Sequence, residues 1–186
     1  MKRIVILASG TGTLTQAVID AELGAEIVAL ITDQADAPVL DRAHRAQIET
    51  FTVSMMADRT EWDRELETLI AALRPDLVVC AGFMRVLPEK ITSRFKIINS
   101  HPSLLPQFPG AHAVRDALAA GVPETGSTIH WVDAGLDTGQ VIAQERVQIN
   151  AGDTEADLHE RIKIVERGLI VATIQSLLPT LEKTSG

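Results

Sequence analysis

Residues 4–8 form a short apolar run, a glycine and threonine segment follows, and residues 15–23 then place Ala17, Val18, Ala21 and Leu23 at helical spacing. This predicts a buried strand, a loop and a helix. The pattern recurs with a strand over 26–32, a helix over 38–46, a short strand over 50–53, a helix over 60–73 and a continuous apolar run over 77–80. Strands that are apolar on both faces and alternate with helices form a mainly parallel sheet covered on both sides. The class is α/β, doubly wound.

Beyond Ala81 the pattern changes. A short helix is predicted over 87–94 and a strand over 96–98, followed by a rigid loop over 100–110 carrying Pro102, Pro106 and Pro109. A helix over 111–120 closes at Gly121. Strands are predicted over 125–132 and 141–148, and a long helix over 154–178. The segment between those last strands, WVDAGLDTGQ, is too short for a helical crossover. The two are therefore expected to be antiparallel neighbours near the C-terminal end of a mostly parallel sheet. No internal repeat or linker-like shift divides residues 1–186, so one domain is expected, with Lys183 to Gly186 fraying.

Composition narrows the function without naming it. The chain has 186 residues and a net charge of -8, from 25 acidic and 17 basic side chains. This balance argues against non-specific nucleic-acid or membrane-surface binding. The N-terminal MKRIVILASG is too short for a secretory leader. No stretch reaches the roughly 18 to 20 apolar residues that span a bilayer. A single cysteine, Cys80, permits no intrachain disulfide and fits a reducing compartment. A cytoplasmic protein is expected, and exposed helical surfaces leave room for a homodimer.

Three segments carry candidate chemistry. ASGTGTLTQ, residues 8–16, lies between a strand and a helix, where glycines let backbone amides approach an anion and the helix N-terminus adds partial positive charge. It lacks the lysine of a Walker loop and the third glycine of the dinucleotide fingerprint. Both a phosphate cradle and a packing turn fit it. In INSHPSLLPQFPG, residues 98–110, the alternate spacing of Asn99 and His101 puts both side chains on one side of an extended segment, where an amide and an imidazole can converge on one reacting oxygen. A structural histidine is the competing reading. The turn over 132–139 holds Asp133 and Asp137 with His130 just upstream. An aspartate close to His101 would favour the charged imidazole, although aspartates in such turns commonly bond their own backbone. His44, His112 and His159 lie on predicted helices and are read as solvated. No spacing matches a structural zinc site and no serine sits in a nucleophile elbow, so neither metal nor acyl-enzyme is expected.

Taken together, ASGTGTLTQ, AGFMRVLP, INSHPSLLPQFPG, GSTIHWVDAGLDTGQVI and the final helix resemble the glycinamide ribonucleotide formyltransferases, folate-dependent enzymes of purine biosynthesis. The likeness spans nearly the whole chain and implies the formyltransferase fold. It implies transfer of a formyl group from the co-substrate 10-formyltetrahydrofolate to the amine of glycinamide ribonucleotide, giving formylglycinamide ribonucleotide and tetrahydrofolate. Carried over by position, Asn99, His101 and Asp137 are the catalytic set. Gly12, Thr13, Leu14, Pro102 and Glu166 would bind the ribonucleotide. Arg59, Met84, Arg85, Val86, Leu87, Asn99, His130, Asp133, Ala134, Gly135, Leu136 and Asp137 would bind the folate, with Arg59 and Arg85 available to its tail carboxylates. Leu14 departs from the family's asparagine, which leaves phosphate binding to backbone amides. Two other readings compete: the same folate site with another acceptor, such as a nucleotide sugar or water, and a non-catalytic nucleotide-binding module.

Overall fold

The computed structural model describes residues 1–182, so the expected fraying of Lys183 to Gly186 lies outside the described residues. Seven strands form one sheet in the order β3-β2-β1-β4-β5-β6-β7. They are β1 (Lys2–Leu7), β2 (Ala25–Thr32), β3 (Thr50–Thr52), β4 (Leu77–Cys80), β5 (Ile97–His101), β6 (Glu124–Trp131) and β7 (Val141–Gln148). The helices are α1 (Thr13–Asp20), α2 (Val39–Arg45), α3 (Arg59–Leu73), α4 (Glu89–Thr92), α5 (Ala113–Ala120) and α6 (Glu155–Leu177), the last followed by a 3₁₀ turn, Leu178–Thr180.

Strands β1 to β5 pair in parallel. β6 runs antiparallel to both β5 and β7, which realises the expected terminal pair and extends it to a second ladder. Side-chain alternation explains the two layers. Ile4, Ile6, Leu77 and Val79 face Val18 of α1, Val39 of α2 and Ile170 and Ile174 of α6, while Val5, Leu7, Val78 and Cys80 face Trp62, Leu66 and Ile70 of α3 and Ile91 of α4. Both faces of the central strands are thereby removed from water, which is why they read as unbroken apolar runs.

Several boundaries differ from the sequence reading. The strand expected over 96–98 continues to His101, because Asn99, Ser100 and His101 pair with His130, Ile129 and Thr128 of β6. The helix expected over 87–94 shortens to Glu89–Thr92, since Pro88 ahead of it is extended, at ψ 158°. α1 starts at Thr13, two residues early, directly after Gly12. α6 begins where expected. The Thr154 hydroxyl accepts the Asp157 amide while the Asp157 carboxylate accepts the Thr154 amide, a reciprocal cap that satisfies two otherwise orphaned donors.

Strand order reverses between β1 and β4. In an open sheet of this kind the loops leaving the carboxyl ends of those two strands diverge and leave a crevice. The chain places its unusual loops there.

Candidate active site

The cleft at this crevice holds about 530 Å³ and gathers residues 10–14, residues 80–87, Asn99 to Pro102, Gly110, His130, the turn after β6 and three side chains of α6. A second groove of about 670 Å³ along β3 and α3 is lined by Phe51, Met56 and Leu69 and by helix charges such as Glu61 and Arg64. It includes none of the polar residues of β5, so the chemistry belongs to the first cleft.

The loop after β1 is shaped by Gly12, whose φ of +75° is left-handed. A side chain there is excluded twice, because a Cβ atom would lie 2.4 Å from Val39 Cγ2. Gly12 caps α1 without any side-chain hydrogen bond, so the first amides of the helix face the cleft uncapped. Thr13 and Leu14 line the cleft beside it, and Leu14 also packs against the core under α1. This arrangement favours an anion.

β5 and β6 bring the candidate catalytic groups together. Cross-strand register sets Asn99 opposite His130, and Asn99 Nδ2 lies 3.3 Å from His130 Nε2. The His130 Nδ1–H donates to the Trp131 carbonyl (2.9 Å), and its Nε2 faces the Asn99 amide. Asp137 stands between two imidazoles, its Oδ2 3.4 Å from His101 Nδ1 and its Oδ1 3.6 Å from His130 Nε2. His101 Nε2–H donates to the Phe108 carbonyl at 2.8 Å. Both nitrogens of His101 thus face oxygens, one a backbone carbonyl and the other a carboxylate. Asp137 adopts a left-handed φ of 54°, unusual for a residue with a Cβ, and its carboxylate is tethered by the Gly110 amide at 2.8 Å. The two aspartates of the turn divide the readings offered for them. Asp133 does bond its own loop, accepting from the Gly135 amide and the Thr138 hydroxyl, whereas Asp137 reaches across to the histidines.

Glu166 closes the far side. It accepts a hydrogen bond from Ser100 Oγ at 2.8 Å and is 8% exposed. Burial raises its carboxyl above the usual range, partly opposed by the Ser100 hydroxyl and by Lys163 and Arg167. One turn and two turns before it, Lys163 and His159 also line the cleft. His159, expected to be solvated, is instead part-buried at the cleft. Burial, reinforced by Lys163, holds its ring below the usual histidine range. Lys163 was not singled out at all. Helical spacing from Glu166 was the available signal for both. His44 and His112 are exposed as expected.

The segment 84–87 lines the opposite wall with Leu136, and three of these apolar side chains remain strongly exposed: Met84 at 69%, Val86 at 51% and Leu136 at 54%. Pro102, Asp133 and Gly135 also line the cleft. Ala134 sits exposed on the turn and Arg59 lies outside the lining. The two arginines expected to await tail carboxylates are engaged within the protein. Arg59 Nε–H donates to Asp63 and its Nη2 to the Val86 carbonyl, while Arg85 Nε–H donates to Asp33 at 2.7 Å. Arg85 still keeps 31% of its side chain exposed beside the cleft. Cys80, at the cleft floor, has its thiol pushed up to about 12 by burial, which leaves no thiolate for nucleophilic chemistry near neutral pH.

The formyl transferase family model matches residues 2–174. A phosphoribosylglycinamide formyltransferase of Mycobacterium tuberculosis (strain H37Rv) is 47% identical over 182 residues, which cover 94% of this chain and 84% of that protein. The enzyme of the same name from Escherichia coli (strain K12) is 41% identical over 174 residues, covering 89% of this chain and 82% of its own. The crystal structure of glycinamide ribonucleotide transformylase 1 from Symbiobacterium toebii superposes with a TM-score of 0.91 at 39% identity, covering 94% of this chain and 86% of that one. The chain belongs to the formyl transferase family.

Proposed function

We propose that this chain transfers the formyl group of 10-formyltetrahydrofolate to the amine of glycinamide ribonucleotide, giving formylglycinamide ribonucleotide and tetrahydrofolate in purine biosynthesis. The observation that carries the reading is the grouping of Asn99, His101, His130 and Asp137 in the same cleft as an uncapped helix N-terminus. An amide, two imidazoles and a carboxylate suit acyl transfer. The helix end suits the phosphate of a ribonucleotide.

In this reading the substrate phosphate meets the amides at Gly12, Thr13 and Leu14, with Lys163 adding positive charge from α6. Glu166, with Pro102 nearby, faces the ribose and glycinamide end. The folate's flat ring enters between residues 84–87 and 133–137, where Met84, Val86 and Leu136 supply the apolar surface an aromatic ring needs. The neutral amine attacks the formyl carbon. Negative charge then builds on the formyl oxygen, where the Asn99 amide and an N–H of His101 stabilise it by hydrogen bonding. At 3.4 Å from Asp137, His101 Nδ1 borders the cleft where the incoming oxygen would sit. As the intermediate collapses, the attacking nitrogen loses a proton, the folate nitrogen gains one, and the C–N bond to the folate breaks.

Removing one donor to such an oxyanion typically costs on the order of 10² to 10³ in rate. Asn99→Ala and His101→Ala are therefore expected to lower kcat by about that factor, with smaller changes in KM and an unchanged circular dichroism spectrum. Full turnover by folded His101→Ala would overturn the assignment.

A further inference from the structure

Among the described residues, one buried carboxylate outside the cleft lining bonds both Arg85, which lines the cleft, and Ser9, the neighbour of the lining residue Gly10. Asp33 follows β2, and its side chain is 0% exposed. Its two oxygens serve different segments. Oδ1 accepts from Ser9 Oγ at 2.6 Å, and Ser9 belongs to the phosphate loop over 8–16, next to Gly10. Oδ2 accepts from Arg85 Nε at 2.7 Å, within the segment assigned to the folate, and also from Gln34 Nε2 at 3.1 Å. Ser9 completes the link, because its hydroxyl oxygen accepts the Met84 amide at 3.0 Å and its own amide donates to the Gly82 carbonyl at 3.1 Å.

We propose that Asp33 is a positioning residue for both substrates, holding the phosphate loop and the folate segment in fixed register across the crevice between β1 and β4. The inference rests on the two-substrate reading above. A carboxylate so deeply buried would be costly without partners, and breaking a buried pair is more damaging than never forming it. Burial by itself would raise the Asp33 carboxyl, but the bonds from Ser9, Arg85 and Gln34 outweigh it and hold the group below the usual carboxylate range, so it is charged at neutral pH. That charge fixes Arg85 on one side and orients the Ser9 hydroxyl on the other, which leaves the hydroxyl's lone pair for the Met84 amide. None of the catalytic side chains touches Asp33. Loosening it should therefore disturb where the two substrates sit more than the bond-making step.

Steady-state kinetics with 10-formyltetrahydrofolate and glycinamide ribonucleotide test this on wild type, Asp33→Asn, Ser9→Ala and the double variant, with thermal melting recorded for each. Asp33→Asn retains the shape but not the charge. Both KM values are expected to rise roughly three- to tenfold, as fits the loss of about one net hydrogen bond, while kcat moves less than about twofold. Ser9→Ala should shift both KM values in the same direction, and the double variant should be no worse than the poorer single, since the two side chains act as one link. If Asp33→Asn and Ser9→Ala lower the melting temperature but leave both KM values unchanged, the role is structural only and the proposal falls. A rise in only one KM would also overturn it, because the link would not be shared. Absence of transfer by the wild type would instead refute the underlying reading, and with it this inference.

Discussion

Gly12→Ala puts the proposed phosphate loop under the most direct structural stress. Two penalties come from the geometry. The left-handed φ of +75° costs a residue with a Cβ about 1 to 2 kcal/mol. The new methyl group would also lie 2.4 Å from Val39 Cγ2, 2.8 Å from Val39 Cβ and 3.1 Å from Val39 Cα, so turning the valine rotamer cannot relieve the whole clash. Val39 is fully buried and its amide donates to the Gly10 carbonyl at 3.1 Å, which ties the start of α2 to this loop. Overpacking of this kind typically costs about 1 to 3 kcal/mol. Together the two give a destabilisation of about 2 to 5 kcal/mol, large against the roughly 5 to 15 kcal/mol that holds a domain together. Urea unfolding measures it directly, and titration calorimetry with glycinamide ribonucleotide should show weakened binding in the fraction that remains folded. Gly10→Ala is the stability comparison, since its Cβ would meet nothing within 4 Å and its φ is not left-handed. Should Gly12→Ala unfold within about 0.5 kcal/mol of wild type, the range expected of an unremarkable surface change, the steric reasoning would be refuted.

Glu166 supplies a pH signature. Its carboxyl is raised in the folded protein, so its contribution to stability is fully present below the ordinary carboxylate value of 4.5 and is lost as pH rises through the folded value. Urea melts should accordingly show Glu166→Gln gaining stability relative to wild type as pH rises from 4.5 through that folded value, and a constant difference across that range would contradict the burial argument. Thr154→Ala removes the hydroxyl half of the α6 cap and is expected to cost about 1 kcal/mol in chemical denaturation. Its effect should appear in stability and leave kcat near the wild-type value, since the cap lies about three turns from Glu166.

Much of the fold was legible because its signals are local. Unbroken apolar strands, alternating helices and the short connection before β7 specify a doubly wound sheet with an antiparallel end, and the two-residue spacing of Asn99 and His101 puts them on one face of β5. The missed features depend on distance along the chain or on register. That His130 stands opposite Asn99 depends on the antiparallel register of β5 against β6. Arg85 meets a carboxylate 52 residues away, which no spacing rule could announce. α6 shows a signal that was present but unread. Leu158, Ile162, Glu166, Ile170 and Ile174 recur every fourth residue as the buried stripe, so the one glutamate in that apolar series marks where the stripe meets the cleft and draws attention to Lys163 and His159 beside it.

Transfer between two substrates in one cleft requires that loss of the formyl group depend on the acceptor. Purified protein is mixed with 10-formyltetrahydrofolate labelled with carbon-13 in the formyl group, with and without glycinamide ribonucleotide, and the label is followed by nuclear magnetic resonance. The label is expected to move into a formamide only when the ribonucleotide is present, with tetrahydrofolate formed in equal amount. Release of labelled formate at the same rate without the acceptor, or no movement of the label from folded protein, would contradict it.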